Sequence, residues 1–312
     1  MRAITIREGE LRVETRPDPV PGAGEVLVRV RAAGLNGADM LQRRGRYPAP
    51  PGEPQDVPGL ELAGEVAALG PGATRFAEGD RVMTIVGGGG QAELAAVHER
   101  ALMPVPAGLD WPQAGGLPEV FVTAHDALFT QAGLRPGERL LVHGGAGGVG
   151  TAAVQLARAA GARVTATLRR EELRDAVERL GARAIAPEGF AEHGPFDVIL
   201  ELVGAPNLGE DVRALATGGR IAVIGIGAGA KAELNLALLL ARRGRVMGST
   251  LRPRPLEEKA IAMRLVEREV LPLFERGELT VPIAATFPLD EARAAYERFE
   301  SGGKLGKVVL LT

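Results

Sequence analysis

The densest chemical signal in the chain is the run Gly144-Gly145-Ala146-Gly147-Gly148-Val149-Gly150. It contains Gly145-x-Gly147-x-x-Gly150, entered from the strand-like Arg139 to His143 and leaving into the helix-like Gly150 to Ala160. Glycines at this spacing permit a tight turn and let backbone N–H groups approach a pyrophosphate at the positive end of a helix. Spacing alone is a weak signal in a chain with 43 glycines, because a turn that merely joins strand to helix uses the same residues. The strand-before, helix-after setting is what selects dinucleotide binding.

Roughly 20 residues further on, an NAD-binding chain presents Asp or Glu to the ribose hydroxyls. Here the sequence reads Thr165-Ala166-Thr167-Leu168-Arg169-Arg170-Glu171-Glu172. No acid ends the strand, and two guanidinium groups follow it. Arg169 and Arg170 suit a 2′-phosphate through charge-assisted hydrogen bonds. They could equally be solvated or paired with Glu171 and Glu172. The expectation is NADPH in preference to NADH.

Other chemistries are excluded by what is missing. There are no cysteines, so no thiol nucleophile, thiolate metal site or disulfide. His98, His125, His143 and His193 lack metal-ligand spacing and read as ordinary core or surface histidines. With 37 basic and 39 acidic residues, a net charge of −2 and no long run of either sign, there is no footprint for nucleic acid or anionic membrane. The first residues lack the apolar core of a signal peptide, and no apolar stretch nears the ~20 residues of a membrane helix. These features lead us to expect a cytoplasmic protein.

The elements that must position the glycine run follow from periodicity. At 312 residues, 46% hydrophobic and 24% charged, the chain has room for two globular domains. Its first third alternates apolar and polar residues, as in Val26-Leu27-Val28-Arg29-Val30, and is broken by Pro and Gly clusters, which predicts an all-β unit. Beyond Pro118 the texture changes. Strands are predicted over Arg139–His143, Arg163–Leu168, Phe196–Leu202, Gly219–Ile226 and Arg245–Thr250. Helices are predicted over Gly150–Ala160, Glu171–Leu180 and Gly209–Leu215. Repeated strand–helix units imply a doubly wound parallel sheet. A helix over Leu256–Arg276 broken at Pro272, a helix from Glu291 capped by Asp290, and a strand over Lys307–Leu311 close the chain. That last strand has no obvious place in the parallel sheet and is expected to rejoin the β unit.

Two groups of segments then carry a resemblance. Ala32 to Asp39 with Tyr47 precedes Pro58-Gly59-Leu60-Glu61-Leu62-Ala63-Gly64, and Phe121 to Leu128 precedes the glycine run continued by Thr151 to Ala157. Together they resemble the medium-chain dehydrogenase/reductase superfamily, in its quinone oxidoreductase (ζ-crystallin-like) branch, almost end to end. Gly248 to Arg254 and Gly306-Lys307-Val308-Val309-Leu310 are similar to the p53-inducible quinone oxidoreductase subgroup.

The resemblance implies an α/β chain with a GroES-like β domain (1–117 and 252–312) and a Rossmann domain (118–251). It implies that Asn36, Asp39 and Tyr47 lie beside the nicotinamide and the acceptor. It places Thr123, Val203, Gly204, Gly225 and Ile226 along the cofactor, with the glycine run and the two arginines. Asn36 and Asp39 could instead simply satisfy a turn. Zinc-dependent relatives bind their catalytic metal through Cys, His and Cys, positions that correspond here to Asn36, Leu60 and Glu119, which implies no catalytic zinc. A tyrosine common in relatives is Gln91 here, so a different substrate wall is expected. The implied chemistry is hydride transfer from NADPH to an electron-poor small molecule such as a quinone, Tyr47 and Asn36 hydrogen-bonding its oxygen. A 2-enoyl or alkenal double-bond reductase, an NADPH-binding protein with little turnover and, third, a zinc alcohol dehydrogenase that stoichiometric zinc would reveal are the alternatives. The resemblance also implies a homodimer joined through the Rossmann sheet edge, with Arg220 to Ile226 near that edge.

Overall fold

The computed structural model describes all 312 residues. The chain divides into two compact units: Met1–Val122 with Leu251–Gly302 and Lys307–Thr312, and Thr123–Thr250 with Gly303–Gly306. No helix is long and apolar enough to cross a membrane.

The first unit begins with a hairpin of β1 (Arg2–Arg7) and β2 (Glu10–Thr15). There follow β3 (Glu25–Gly34), α1 (Gly37–Arg43), β4 (Glu61–Leu69), β5 (Arg81–Ile85), β6 (Leu94–His98) and β7 (Leu102–Pro104). Short helices α2 (Trp111–Gly116) and α3 (Pro118–His125) come next. Period-two alternation explains β3: Val26, Val28 and Val30 point inward and pack with Leu62, Val66, Val82 and Leu102. Each such fully buried side chain contributes about 1.5–3 kcal/mol.

The second unit is a six-stranded parallel sheet. Its strands are β8 (Arg139–Val142), β9 (Arg163–Thr167), β10 (Arg183–Ile185), β11 (Phe196–Glu201), β12 (Leu215–Val223) and β13 (Arg245–Gly248), in the order β10-β9-β8-β11-β12-β13. The connecting helices are α4 (Gly148–Ala159), α5 (Arg174–Leu180), α6 (Leu208–Ala214) and α7 (Leu236–Arg242). Strand order reverses between β8 and β11, and the crevice above such a switch point is where open α/β sheets bind ligands. The edge is taken by β13, and Arg220 to Val223 lie in β12, one strand inside and near the edge as expected. Arg220 is held there by both Glu138 carboxylate oxygens and the carbonyls of Ala132 and Gly133.

The chain returns to the first unit through α8 (Leu256–Glu269), α9 (Leu271–Glu275), β14 (Ile283–Pro288), α10 (Ala292–Glu300) and β15 (Lys307–Leu311). The final strand does rejoin the β unit, pairing antiparallel with β3 and parallel with β14 in a sheet ordered β14-β15-β3-β4-β5-β7. Pro272 falls in the first turn of α9, where its missing N–H costs nothing. Asp290 is not a cap. It lies in a 3₁₀ turn over Leu289–Glu291, and Glu291 precedes α10.

Candidate functional site

In the second unit the glycine run leaves β8 and becomes the first turn of α4. Gly147 is the N-cap and has no side chain, so no cap competes for the first-turn amides of Gly148, Val149 and Gly150, which lack intrahelical acceptors. Those amides and the helix dipole form an anion seat. A Cβ on Gly145 would lie 2.6 Å from the Ala166 Cβ, and one on Gly150 would collide with the Gly144 carbonyl oxygen. The loop is thus packed down on β9, with Ala146 and Val149 partly exposed. The segment Gly303–Gly306 lies on it, its Gly306 N–H donating to the Ala146 carbonyl at 2.9 Å.

Beyond β9, Arg169 and Arg170 are both exposed. Glu171 is taken by Arg174, Arg170 lies 3.9 Å from Glu172, and Arg169 makes no ion pair. The pairing alternative therefore accounts for Arg170 only weakly and for Arg169 not at all.

Under the crevice lies a buried network that sequence spacing did not reveal. His143, just after β8, has Nε2 2.8 Å from Asp211 Oδ1 of α6 and Nδ1 3.2 Å from Thr167 Oγ1 at the end of β9. An ionised Asp211 assigns Nε2–H as the donor. The Thr167 hydroxyl then donates to Nδ1, and its oxygen accepts from the Gly144 N–H at 3.2 Å. Glu201, the last residue of β11, accepts from the Val203 and Gly204 amides and from Asn207 Nδ2. Burial pushes the Asp211 carboxyl upward against the opposing pull of the His143 bond. His143, Glu201 and Asp211 bring donor atoms within 4.8 Å of one another, a grouping also open to a metal ion. Most of those atoms are already spent on hydrogen bonds, so we read a scaffold: it fixes the glycine turn on one side of the switch point and Val203-Gly204 on the other. The backbone of 203–205 in turn clasps 228–229, with Ala228 N–H donating to Val203 O and Ala205 N–H to Gly229 O. Gly225 is partly exposed, Ile226 is 51% exposed, and Thr123 is buried in α3.

The first unit holds the other set. Asn36 precedes α1 and Glu61 opens β4. Asn36 Nδ2 donates to Glu61 Oε1 at 2.9 Å and to Gly34 O at 3.3 Å. The Lys307 ammonium, at the start of β15, donates to Glu61 Oε1 and Asn36 Oδ1, both at 2.6 Å, and to Leu35 O at 2.8 Å. Lys307 is 3% exposed and Glu61 is 0%. The Glu119 N–H, in the first turn of α3, donates to Glu61 Oε2 at 2.8 Å. Beside this cluster Arg252 is buried and donates to the carbonyls of Gly87 and Tyr47 and to Gln42 Oε1, with its guanidinium 5.1 Å from the Tyr47 ring centroid.

Two expected roles change. Both Asn36 amide hydrogens and its oxygen are used within the cluster, so Asn36 has no donor left for an acceptor oxygen. Asp39 is fully buried, and its oxygens accept from the Asn36 N–H at 2.7 Å and the Gly59 N–H at 3.0 Å, so it fixes the turn into α1. Burial raises its carboxyl to about 6 despite those donors. Gln91 is no wall residue either: it is fully buried, and its Oε1 accepts from Tyr296 Oη at 3.0 Å. Tyr47 stays partly exposed. Sequence reasoning assigned no role to Glu61, Arg252 or Lys307. The one available signal was rarity, since lysine occurs only at 231, 259, 304 and 307.

Comparison with known proteins follows these lines. Residues 22–107 match the family described as alcohol dehydrogenase GroES-like domain, and residues 148–268 match the zinc-binding dehydrogenase family. The chain is 33% identical to a quinone oxidoreductase of Rattus norvegicus, covering 100% of this chain and 98% of the rat protein. It is 32% identical to the quinone oxidoreductase of Homo sapiens, with the same coverage. Among solved structures, an alcohol dehydrogenase superfamily protein from Novosphingobium aromaticivorans superposes with a TM-score of 0.88 at 30% identity, covering 100% of this chain and 99% of that one. A mycobacterial protein solved as a complex with NADPH gives 0.89 at 28% identity, covering 100% of both chains.

Proposed function

Because this chain belongs to the quinone oxidoreductase branch of the medium-chain dehydrogenase/reductase superfamily, we propose that it passes hydride from NADPH to a quinone-like acceptor without a metal ion. The observation that carries the metal-free reading is the Lys307 ammonium on Glu61 and Asn36. A zinc ion needs several nitrogen, sulfur or carboxylate donors at about 2.0–2.3 Å. At the corresponding positions, Leu60 is apolar and 1% exposed, the Asn36 oxygen already serves the Lys307 ammonium, and Glu119 is left as the one carboxylate, with the neighbouring Glu61 also holding the ammonium. The residues present do not fit zinc. Without a Lewis acid to polarise an alcohol, an acceptor that is already electron-poor is the natural partner.

The second unit does fit a dinucleotide. Gly148, Val149 and Gly150 would seat the pyrophosphate. Arg169, with Arg170, would take the 2′-phosphate, a reading favoured by Arg169's freedom from ion pairs and the acid-free end of β9. Val203-Gly204 and Gly225-Ile226 would border the ribose and nicotinamide, with Thr123 contributing at that end. Bound NADPH supplies the hydride; the protein's share is holding, orienting and keeping water away. Tyr47, which is partly exposed, would orient the acceptor oxygen.

A homodimer through β13 is part of the same reading. Helix α7, Leu236-Ala237-Leu238-Leu239-Leu240-Ala241-Arg242, has no buried residue, and Leu236, Leu240 and Val246 are exposed beside or on the edge strand. Sedimentation showing only monomer at micromolar concentration would remove it. The activity is tested by steady-state oxidation of NADPH and NADH against a panel of quinones and enones. NADPH-linked quinone turnover is expected. Turnover confined to enones would favour the double-bond reductase, and tight NADPH binding without turnover would favour a binding protein.

A further inference from the structure

Resting on that reading, we propose that His143 is a positioning residue for the dinucleotide: kept in one tautomer by Asp211, it turns the Thr167 hydroxyl oxygen toward the Gly144 N–H and so holds the glycine turn in its anion-binding shape. The relay has one direction. His143 Nε2 donates to Asp211 Oδ1 of α6 at 2.8 Å, which leaves Nδ1 to accept from the Thr167 hydroxyl at 3.2 Å. With its hydrogen committed, the Thr167 oxygen presents a lone pair to the Gly144 N–H, also at 3.2 Å. The next peptide of the turn is pinned at both ends. Its Gly145 N–H donates to the Thr167 carbonyl at 2.9 Å, and its Gly144 carbonyl accepts from the N–H of Gly147, the N-cap of α4, at 3.0 Å. Thr167 thus secures two consecutive amides, and the path from Asp211 ends where the first-turn amides of α4 begin.

Asp211 is a poor choice for stability alone. It is 0% exposed, and its Oδ2 is buried with no hydrogen-bond partner. A carboxylate buried on so few bonds adds little net stability, so what it supplies is the orientation of the imidazole. The opposite tautomer would set an Nδ1–H against the Gly144 N–H at the same Thr167 oxygen. The ring itself is 1% exposed and meets the Phe190 ring edge-on, with centroids 4.6 Å apart. Glu201 of β11 is the other ionisable group facing it, 3.8 Å from Nε2, and is occupied by the Val203 and Gly204 amides and Asn207. Gly144 stands at φ +71°, and a backbone so rich in glycine has many other shapes open to it. A turn released by Thr167 would hold its binding shape only part of the time, and affinity would fall by that fraction.

The test is fluorescence titration of NADPH and NADH on full-length variants whose folding is checked by circular dichroism. Thr167→Val keeps the shape and removes the hydroxyl. Its affinity for both coenzymes should fall by the same factor, at least about tenfold or about 1.4 kcal/mol, because the pyrophosphate is common to both. Asp211→Leu, which breaks the relay at its far end, should lose a similar amount. Thr167→Ser restores the hydroxyl and Asp211→Asn keeps an acceptor for Nε2–H, so both should stay within about threefold of wild type. In Thr167→Val the coenzyme KM should rise while kcat at saturation with 1,4-naphthoquinone stays near wild type. Amide hydrogen exchange over residues 144–150 of the unliganded variant should quicken. Wild-type affinity in Thr167→Val or Asp211→Leu, a loss confined to NADPH, or an equal loss in Thr167→Ser overturns the proposal. If the wild-type protein binds neither coenzyme, the functional reading fails first and takes this role with it.

Discussion

Replacing Lys307 by Met removes the cation from a site that is otherwise sealed. Glu61 would keep its bonds from Asn36 Nδ2 and the Glu119 N–H, but it is 0% exposed and would carry its charge with no cation in contact. Leu35 O and Asn36 Oδ1 would each lose a donor now at 2.8 and 2.6 Å. Breaking a buried ion pair on one side costs about 3–5 kcal/mol. At roughly 2–4 °C per kcal/mol, the melting transition should fall by about 6–20 °C. The double variant Glu61→Gln/Lys307→Met should be more stable than Lys307→Met, because the largest cost is the stranded carboxylate. Calorimetry on the four members of that cycle should give a coupling of at least about 1.5 kcal/mol. A loss below about 1 kcal/mol in Lys307→Met, or a double variant less stable than the single, would refute a paired buried cluster.

Other perturbations reach the remaining parts of the account. Gly150→Ala must displace either the start of α4 or the Gly144 carbonyl, and NADPH affinity measured by fluorescence titration should fall at least about tenfold, a loss of about 1.4 kcal/mol; unchanged affinity would contradict the anion seat. Arg169→Ala with Arg170→Ala should weaken NADPH by about 10- to 100-fold, equivalent to roughly 1.4–2.7 kcal/mol of charge-assisted bonding, and leave NADH alone. Parallel losses for both coenzymes would count against the 2′-phosphate role. Asp39 and Glu119 bind their protons more tightly when folded, with carboxyls raised to about 6 and about 8. The stability each contributes is complete below its unfolded value, and is lost as pH rises through the folded one. Chemical denaturation between pH 5.5 and 8.5 should therefore show stability falling with pH, by up to about 1.4 kcal/mol per unit for each group titrating. Glu119→Gln should flatten the upper part, and a rising profile would contradict the assignment.

Local pattern made much of this architecture readable. The strand–turn–helix setting of the glycine run was legible because all three parts sit within one short segment, where backbone geometry and residue type constrain each other directly. The last strand could be assigned to the β unit because the parallel sheet had no complementary place for it, and β15 does lie between β3 and β14. What stayed hidden depended on distant partners. Lys307 and Glu61 meet across 246 residues of sequence, so neither announces itself as half of a pair. Asn36 looked like a free polar group because its hydrogen-bond capacity is spent on residues far along the chain. Gln91 looked like a wall because nothing local reveals Tyr296 behind it. His143, Glu201 and Asp211 stand on three different elements, so their spacing carried no metal-like or network-like signature.

The central claim is hydride transfer from NADPH to a quinone without zinc. Its most direct test is single-turnover stopped-flow absorbance at the nicotinamide band, on protein dialysed exhaustively against chelator and checked for metal by mass spectrometry. NADPH should be oxidised by 1,4-naphthoquinone at the same rate before and after metal removal, and faster than NADH under matched conditions. Activity that disappears with the metal and returns only on adding zinc would contradict the account.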